Sequence, residues 1–593
     1  MSRSLRPLAV LALAALCTIP APAGARGPAG PDPGIPTPPI PDDAVPADAP
    51  PHDNTSQGAV DGPPGGPAGP IDAPPSAPPP PPPASPPAGP PPAGPPPAGP
   101  PRVGPPPVGP QTSNPAAQVV CPDTGALTLA AAEVEQLLRA AAAAVDGPLV
   151  AAVVDRAGRP LGLYRRALGA GADDRAVGLA RTGAFFSNDQ APLSSRTVRF
   201  VSGIHFPPGI PNTPNAALYG IENTNRGCDL GVPFLPGKAL PPARSVVFAG
   251  GCNAFDRSAC GTGPVTGKSD LFDSQPRSVD PGGVPIFRGA ALVGGLGVVV
   301  AGAPEFAAFA AIAGVPGLSP VPTPLPAPGV VFIDGIRLPF VRQVDRPAGT
   351  APGDPNAGSI ALGPTDGSCV PDGWLVGPRA GSLLSAADVE RIVQQARQAA
   401  LRTRAVIRLP LGSRARMVIA VGDVDGSILG LFRMRDATVF SVDVAVAKAR
   451  NVAWFSSPAG AGDLAGLAPG TAVTNRTISF GAQPLFPAGI DGTGVGPFWD
   501  LFVADTATPC SQGSQPPNAN QSGIVFFPGS IPLYTGGQLA GGLGISGDGV
   551  EQDDYVSFLG AAGFEPPADR WADRSTIRGV RMPFLKFPRN PER

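Results

Sequence analysis

The stretch that most limits how this chain can fold is written twice. Ile531 to Leu559 reads as an apolar strand, a Gly-Gly turn, a glycine-rich strand and a helix opened by acidic residues. Val284 to Phe309 repeats the proline, the turn and the Gly-Gly-Leu-Gly core, but not the acidic run. Four further blocks recur in the same order. Asp155-Arg-Ala-Gly with Leu163-Tyr-Arg returns as Asp423-Val-Asp-Gly with Leu431-Phe-Arg, and Ala180 to Ser187 returns as Ala449 to Ser456. Ser195-Arg-Thr-Val-Arg-Phe, followed by Phe206-Pro-Pro-Gly-Ile, returns as Asn475-Arg-Thr-Ile-Ser-Phe and Phe486-Pro-Ala-Gly-Ile, and Gly335 to Phe340 returns as Gly579 to Phe584. A period of roughly 250 residues is a domain-sized duplication, well above the roughly 20 to 50 residues of a solenoid.

The second repeat resembles a known family. Phe432-Arg-Met, Ser441-Val-Asp-Val-Ala-Val-Ala-Lys-Ala-Arg, Ile531-Pro-Leu, Gly541-Gly-Leu-Gly-Ile-Ser-Gly and Glu551-Gln-Asp look like the GlcG/HbpS-type haem-binding family. The likeness covers most of the second repeat and reaches the first in degenerate form. It implies an α+β fold of two tandem domains, each an antiparallel β-sheet flanked by α-helices. It also implies a small-molecule ligand, with haem the cofactor, and often oligomeric assembly. In that family a histidine commonly ligates the haem; neither first helix here contains one.

In chain order, residues 1–25 read as a signal peptide. Arg3 and Arg6 precede the apolar run Leu8 to Leu16, and Ala23-Gly24-Ala25 is a small-residue cleavage site, so the mature chain is expected to begin at Arg26, secreted or periplasmic. Leu16 is too bulky to precede a lipidated Cys17. Residues 26–116 are Pro, Gly and Ala, a disordered polyproline-II spacer; glycine at every fifth position around 87–101 excludes a collagen helix. The first repeat spans 117–345, a junction 346–375, and the second repeat 376–593, opened by the capping pattern Ser385-Ala-Ala-Asp388. Ile210 and Pro281 lie 71 positions apart, against 38 for Ile490 and Pro528, so the first repeat carries an insertion within 211–280. A net charge of −2 offers no basic face to nucleic acid, and no apolar run is long enough to span a bilayer.

Six cysteines follow the leader: Cys121, Cys228, Cys252, Cys260, Cys369 and Cys510. An even count in an exported chain, with no Cys-x-x-Cys, points to disulfides, and matching positions in the repeats favour pairing 121 with 228, 369 with 510, and 252 with 260. With only two histidines, His52 and His205, no Ser-His-Asp set can be built in each repeat and no multi-imidazole metal site is expected. A non-enzymatic binding protein is therefore expected, the alternative being a ligand-free structural or interaction module of the cell envelope. The haem-site candidates are His205, Arg196, Arg476 and Tyr219, the arginines because a planar guanidinium meets both oxygens of a propionate. Tyr164, Tyr534 and Met434 are further iron ligands by residue type. Arg196-Thr197 and Arg476-Thr477 are read as lying between apolar strands. The run Asp548 to Asp554 is read as a helix cap rather than a calcium loop, because it lacks the Asp-x-Asp-x-Asp-Gly order. Gly261 to Ser269 lacks the glycine spacing of a phosphate loop. Partners left open are a second copy of the chain or an envelope component.

Overall fold

The computed structural model describes residues 128–201, 279–315 and 332–593, apart from 170, 334–335, 338–339, 341–344, 364, 366–369, 371, 488–489, 491, 508–510, 517 and 519. The leader, the spacer, all six expected disulfide cysteines, His205, Tyr219 and residues 211–278 of the insertion lie outside the described residues.

In the first repeat, Ala131–Ala144 forms α1, with Val134, Leu137, Leu138 and Ala141 turned to the core at helical spacing. Leu149–Asp155 (β1) and Pro160–Arg166 (β2) pair antiparallel around a turn that needs Gly158 at φ +83°. Ala172–Phe186 (α2) and Ser195–Val201 (α3) follow. The hairpin of Gly283–Arg288 (β3) and Ala291–Val300 (β4) then leads into Pro304–Ala313 (α4). Beyond a two-residue pair, Phe332–Ile333 (β5) and Ile336–Arg337 (β6), Ser359–Leu362 (β7) joins the sheet edge, giving the order β3-β4-β1-β2-β7.

The second repeat has the same plan. Gly373–Val376 (β8), Ala386–Arg402 (α5), Val418–Gly422 (β9), Ile428–Arg433 (β10), Ser441–Phe455 (α6) and Asn475–Gly481 (α7) come first. Trp499–Ala507 (α8), Ser530–Thr535 (β11), Gln538–Ser546 (β12) and Val550–Gly560 (α9) follow, and a small pair, Thr576–Ile577 (β13) and Val580–Arg581 (β14), closes the chain. The sheet order is β11-β12-β9-β10-β8, and every pairing in both sheets is antiparallel. The α+β class expected from the family resemblance is the class observed. The segment expected to join the repeats also supplies an edge strand to each sheet, β7 and the start of β8.

The shared Gly-Gly-Leu-Gly core is explained by close approach. A Cβ on Gly295 or Gly297 would collide with the carbonyl oxygens of Ala180 and Ala176 in α2, and one on Gly542 or Gly544 with those of Ala449 and Ala445 in α6. Each central helix thus rests its backbone directly on a glycine strand, which no side chain would permit.

Both repeats fall within one compact unit, residues 107–593. They share one apolar cluster, in which Phe185, Phe186 and Val154 of the first repeat join Phe440, Val444 and Phe527 of the second. The rings of Phe186 and Phe440 stack with centroids 4.1 Å apart. Backbone bonds cross the same seam, from Val439 N–H to the Phe185 carbonyl at 3.0 Å and from Leu409 N–H to that of Gln190 at 3.3 Å.

Two segments differ from the sequence reading. Arg196-Thr197 and Arg476-Thr477 lie on the short helices α3 and α7, not between strands. Their β-branched residues read as strand, but Thr474 accepts the Thr477 N–H at 3.2 Å and starts a helical turn. The cap hydroxyls of Ser194 and Thr474 also donate to the Phe340 and Phe584 carbonyls, at 3.1 and 2.5 Å, so each short helix is tied to its repeat's C-terminal segment in the same way.

Candidate functional site

The acidic run that opens α9 does not cap it. Gly549 is the cap residue and no side chain bonds there, while Asp548, Asp553 and Asp554 are buried. Buried carboxylates need partners, and each has a cation. Arg408, itself fully buried, donates to Asp548 and, at 2.5 Å, to Asp436. Lys448 in the middle of α6 donates to Asp553 at 3.1 Å and to the Ile545 carbonyl at 2.7 Å. Arg476 donates to Asp554, which also accepts the N–H groups of Gly529 and Lys586. Burial raises all three carboxyls, and Asp553 is pushed up to about 7 against the pull of Lys448, whose own value burial lowers. In the aligned first repeat Leu179 stands for Lys448, and Phe306 and Ala307 stand for Asp553 and Asp554. A lysine inside the otherwise Val- and Ala-rich Ser441 to Ala449 stretch was the available signal that an acid must meet it.

Beside β10 the second repeat opens into a cavity of about 520 Å³. Four arginines line it: Arg397 from α5, Arg416 before β9, Arg433 at the end of β10, and Arg435. Leu401, Phe432 and Met434 supply an apolar wall, and Asp372 is the acid that the lining contains among the described residues. The wall is fixed by ring contacts, Trp374 meeting Phe432 edge-on at 5.3 Å and the Arg397 guanidinium lying 5.7 Å from the same ring. Met434 sulfur accepts the Met417 N–H at 3.4 Å. Arg433 is buried and donates to the Ala437 and Val370 carbonyls; burial, then repulsion from Arg156, lowers it to about 9. Four guanidinia around one carboxylate and a flat apolar wall suit a ring-bearing ligand with negative groups.

Of the described candidates named from sequence, Arg196, Arg476, Tyr164 and Tyr534 do not line this cavity, while His205 and Tyr219 lie outside the described residues. Arg196 sits on α3, and Arg476 sits on α7 with its guanidinium held by Asp554. Tyr164 is buried and donates to the Asp354 carbonyl at 3.3 Å, and Tyr534 lies buried beneath Arg570. Met434 does line the cavity. Arg397, Arg416 and Arg435 escaped sequence reasoning because nothing local marks three separate arginines as neighbours. The motif Phe432-Arg-Met was their nearest signal. Among the described residues no group of three or more His, Cys, Asp or Glu side chains is placed to hold a metal.

Residues 384–562 match the model of the family described as haem degrading protein HbpS-like. No curated protein matches the chain. Similar solved structures include the Klebsiella pneumoniae protein ORFY, at 17% identity over 32% of this chain and 95% of that one, with a TM-score of 0.20. Another is the complex of PduOC with haem, at 23% identity over 30% of this chain and 94% of that one, also with a TM-score of 0.20.

Proposed function

We propose that this chain, whose residues 384–562 match the HbpS-like family model, is an exported, non-enzymatic binding protein that holds haem or another small carboxylated ligand in the arginine-lined cavity. The observation that carries this reading is the make-up of the lining, Arg397, Arg416, Arg433 and Arg435 against one acid among the described residues, beside Phe432 and Leu401. The residues fit the group. Arg397, Arg416 and Arg435 would meet its carboxylates, Phe432 and Leu401 its ring, and Met434 offers the thioether of the lining. Haem so held would supply an iron centre. The protein's part is to orient the carboxylates and keep water from the apolar face. A lining of cations and apolar carbon supports holding a ligand rather than turning it over, and the leader pattern of residues 1–25 supports a place of action outside the cytoplasm.

A hemin titration followed in the Soret region tests this. Wild-type protein is expected to shift the band, and Arg397→Glu with Arg416→Glu to weaken binding by roughly tenfold or more, since each lost charged hydrogen bond is worth about 1.5–3 kcal/mol. A wild type that leaves the band unmoved, or a double variant that binds as well as wild type, rules the reading out. In the first case the tandem is better taken as a structural module of the envelope, built around its shared seam.

A further inference from the structure

Two loops bring Arg416, Met434 and Arg435 to the cavity, and the first repeat holds both. Residues 145–148 suffice to join α1 to β1, whereas 403–417 join α5 to β9, and this longer connection reaches across the seam. There it meets Asn188 and Gln190, just beyond α2. Gln190 Nε2 donates to the Leu409 carbonyl at 2.9 Å and to Ser413 Oγ at 3.1 Å, and the Gln190 carbonyl accepts the Leu409 N–H at 3.3 Å. Asn188 Nδ2 donates to the Ile407 carbonyl at 3.5 Å. The aligned residues of the second repeat, Ser457, Pro458 and Ala459, have no amide or carboxylate side chain to do the same.

Arg408 carries this hold to the cavity. Its Nη1 donates to Gln190 Oε1 at 3.3 Å and to Asp436 Oδ2 at 2.5 Å, its Nη2 to the Asp436 carbonyl at 2.7 Å, and its Nε to Asp548. The same Asp548 oxygen accepts the Arg416 N–H at 2.6 Å, and Asp436 is the residue after Arg435. One guanidinium thus joins the backbones of two cavity arginines to a side chain of the first repeat. The Asp189 N–H adds a direct link, donating to the two Asp436 carboxylate oxygens at 3.1 and 3.3 Å. Asp436 stands at φ +62°, a left-handed backbone that surrounding bonds must hold in a residue other than glycine. Those bonds come from Arg408 and from the first repeat.

We infer that Asp189 and Gln190 are positioning residues for the cavity of the second repeat: through Arg408 and Asp436 they set Arg416 and Arg435 in its lining, so that the first repeat governs ligand affinity in the second. The statement about affinity rests on the function proposed above; the hold on the two loops does not.

Hydrogen exchange and hemin titration on the full chain test the two parts separately. Without hemin, Gln190→Ala is expected to speed exchange of the Leu409, Arg416 and Ala437 amides by about threefold to tenfold. Unchanged rates overturn the hold. Should that variant fail to fold, Ser413→Ala, which removes one bond to the same glutamine, is read in its place. With hemin, Gln190→Ala is expected to weaken binding by about threefold to tenfold in the otherwise native chain. In the background Arg416→Gln with Arg435→Gln, where Arg397 and Arg433 still meet hemin, the same substitution is expected to change affinity by less than about twofold, because the arginines it positions are gone. A background that binds no hemin is replaced by Arg416→Gln alone, where the effect of Gln190→Ala is expected to shrink. Equal weakening in both backgrounds, which a loss of stability alone would give, or no weakening in either, overturns the positioning role. If the wild type binds no hemin, the proposed function and the statement about affinity fail, while the amide rates still judge the hold.

Discussion

The two repeats share a backbone plan and differ in what their cores are made of. Where α9 packs in the second, Asp553 meets Lys448 and Asp554 meets Arg476. At the matching places the first has Phe306 with Leu179, and Ala307 with Arg196. The same sheet order and the same glycine contacts support both. The Asp553–Lys448 pair is therefore not what makes this fold. Replacing a buried pair by well-packed apolar groups is often neutral or favourable, whereas removing one partner strands a charge. At the place of Asp553 and Lys448 the first repeat packs apolar groups where the second buries a charged pair.

The sharpest way to break this comparison is to rewrite the second repeat as the first. Asp553→Phe alone is expected to cost about 3–5 kcal/mol, because Lys448 is left buried without its carboxylate. Asp553→Phe combined with Lys448→Leu is expected to recover that loss or to gain about 1–4 kcal/mol. Denaturant unfolding of the four members of the cycle measures it, and a double variant as unstable as the single one would show that the pair is needed for folding.

The same pair predicts a pH dependence. Asp553 has its folded value at about 7 and an ordinary value of 3.8, so between these the folded protein keeps a proton that the unfolded chain has released. Stability should therefore fall as pH rises across that window and level off above it. Asp548 and Asp554 are shifted in the same direction by burial and steepen the trend. Unfolding midpoints measured across the window should show a shallower slope in the double variant. A rise in stability with pH would contradict the buried, raised carboxyls.

The smallest expected effect lies at the first helices. Ser385 accepts the Asp388 N–H at 3.1 Å and Asp388 accepts that of Ser385 at 3.0 Å, whereas Ala130 at the same place before α1 has only the returning bond from its N–H to Glu133, at 2.8 Å. The Ser385 hydroxyl, and then its N–H, hold the Asp388 carboxyl below its usual value. Ser385→Ala should cost about 1 kcal/mol and Ala130→Ser should gain up to about as much, read as opposite shifts in thermal unfolding. Equal shifts of one sign would mean that the caps do not account for the difference between the helices.

Signals that act within a few residues were legible. The Ser-x-x-Asp cap and the Gly-Gly turn between two strands each impose local geometry, so α5 and the β11–β12 hairpin lie where the sequence places them. The helices α3 and α7 were misread because each has only seven residues, too few for a helical period to outweigh β-branched composition. The acidic run was misread for another reason. A helix start rich in Asp and Glu looks the same whether it faces water or a buried lysine.

By itself the sequence determined the duplication and the family likeness of the second repeat, which in turn implied the antiparallel α+β plan, because repeated blocks and short-range motifs survive without knowledge of packing. Only the tertiary structure decided which charges are buried and which arginines are neighbours. Arg397, Arg416 and Arg435 meet because α5, the start of β9 and the end of β10 converge on one side of the sheet. It also brought together chain positions 188 residues apart, Arg166 donating to the Asp354 carbonyl at 3.0 Å. Burial and proximity belong to the packed chain, and local sequence carries neither.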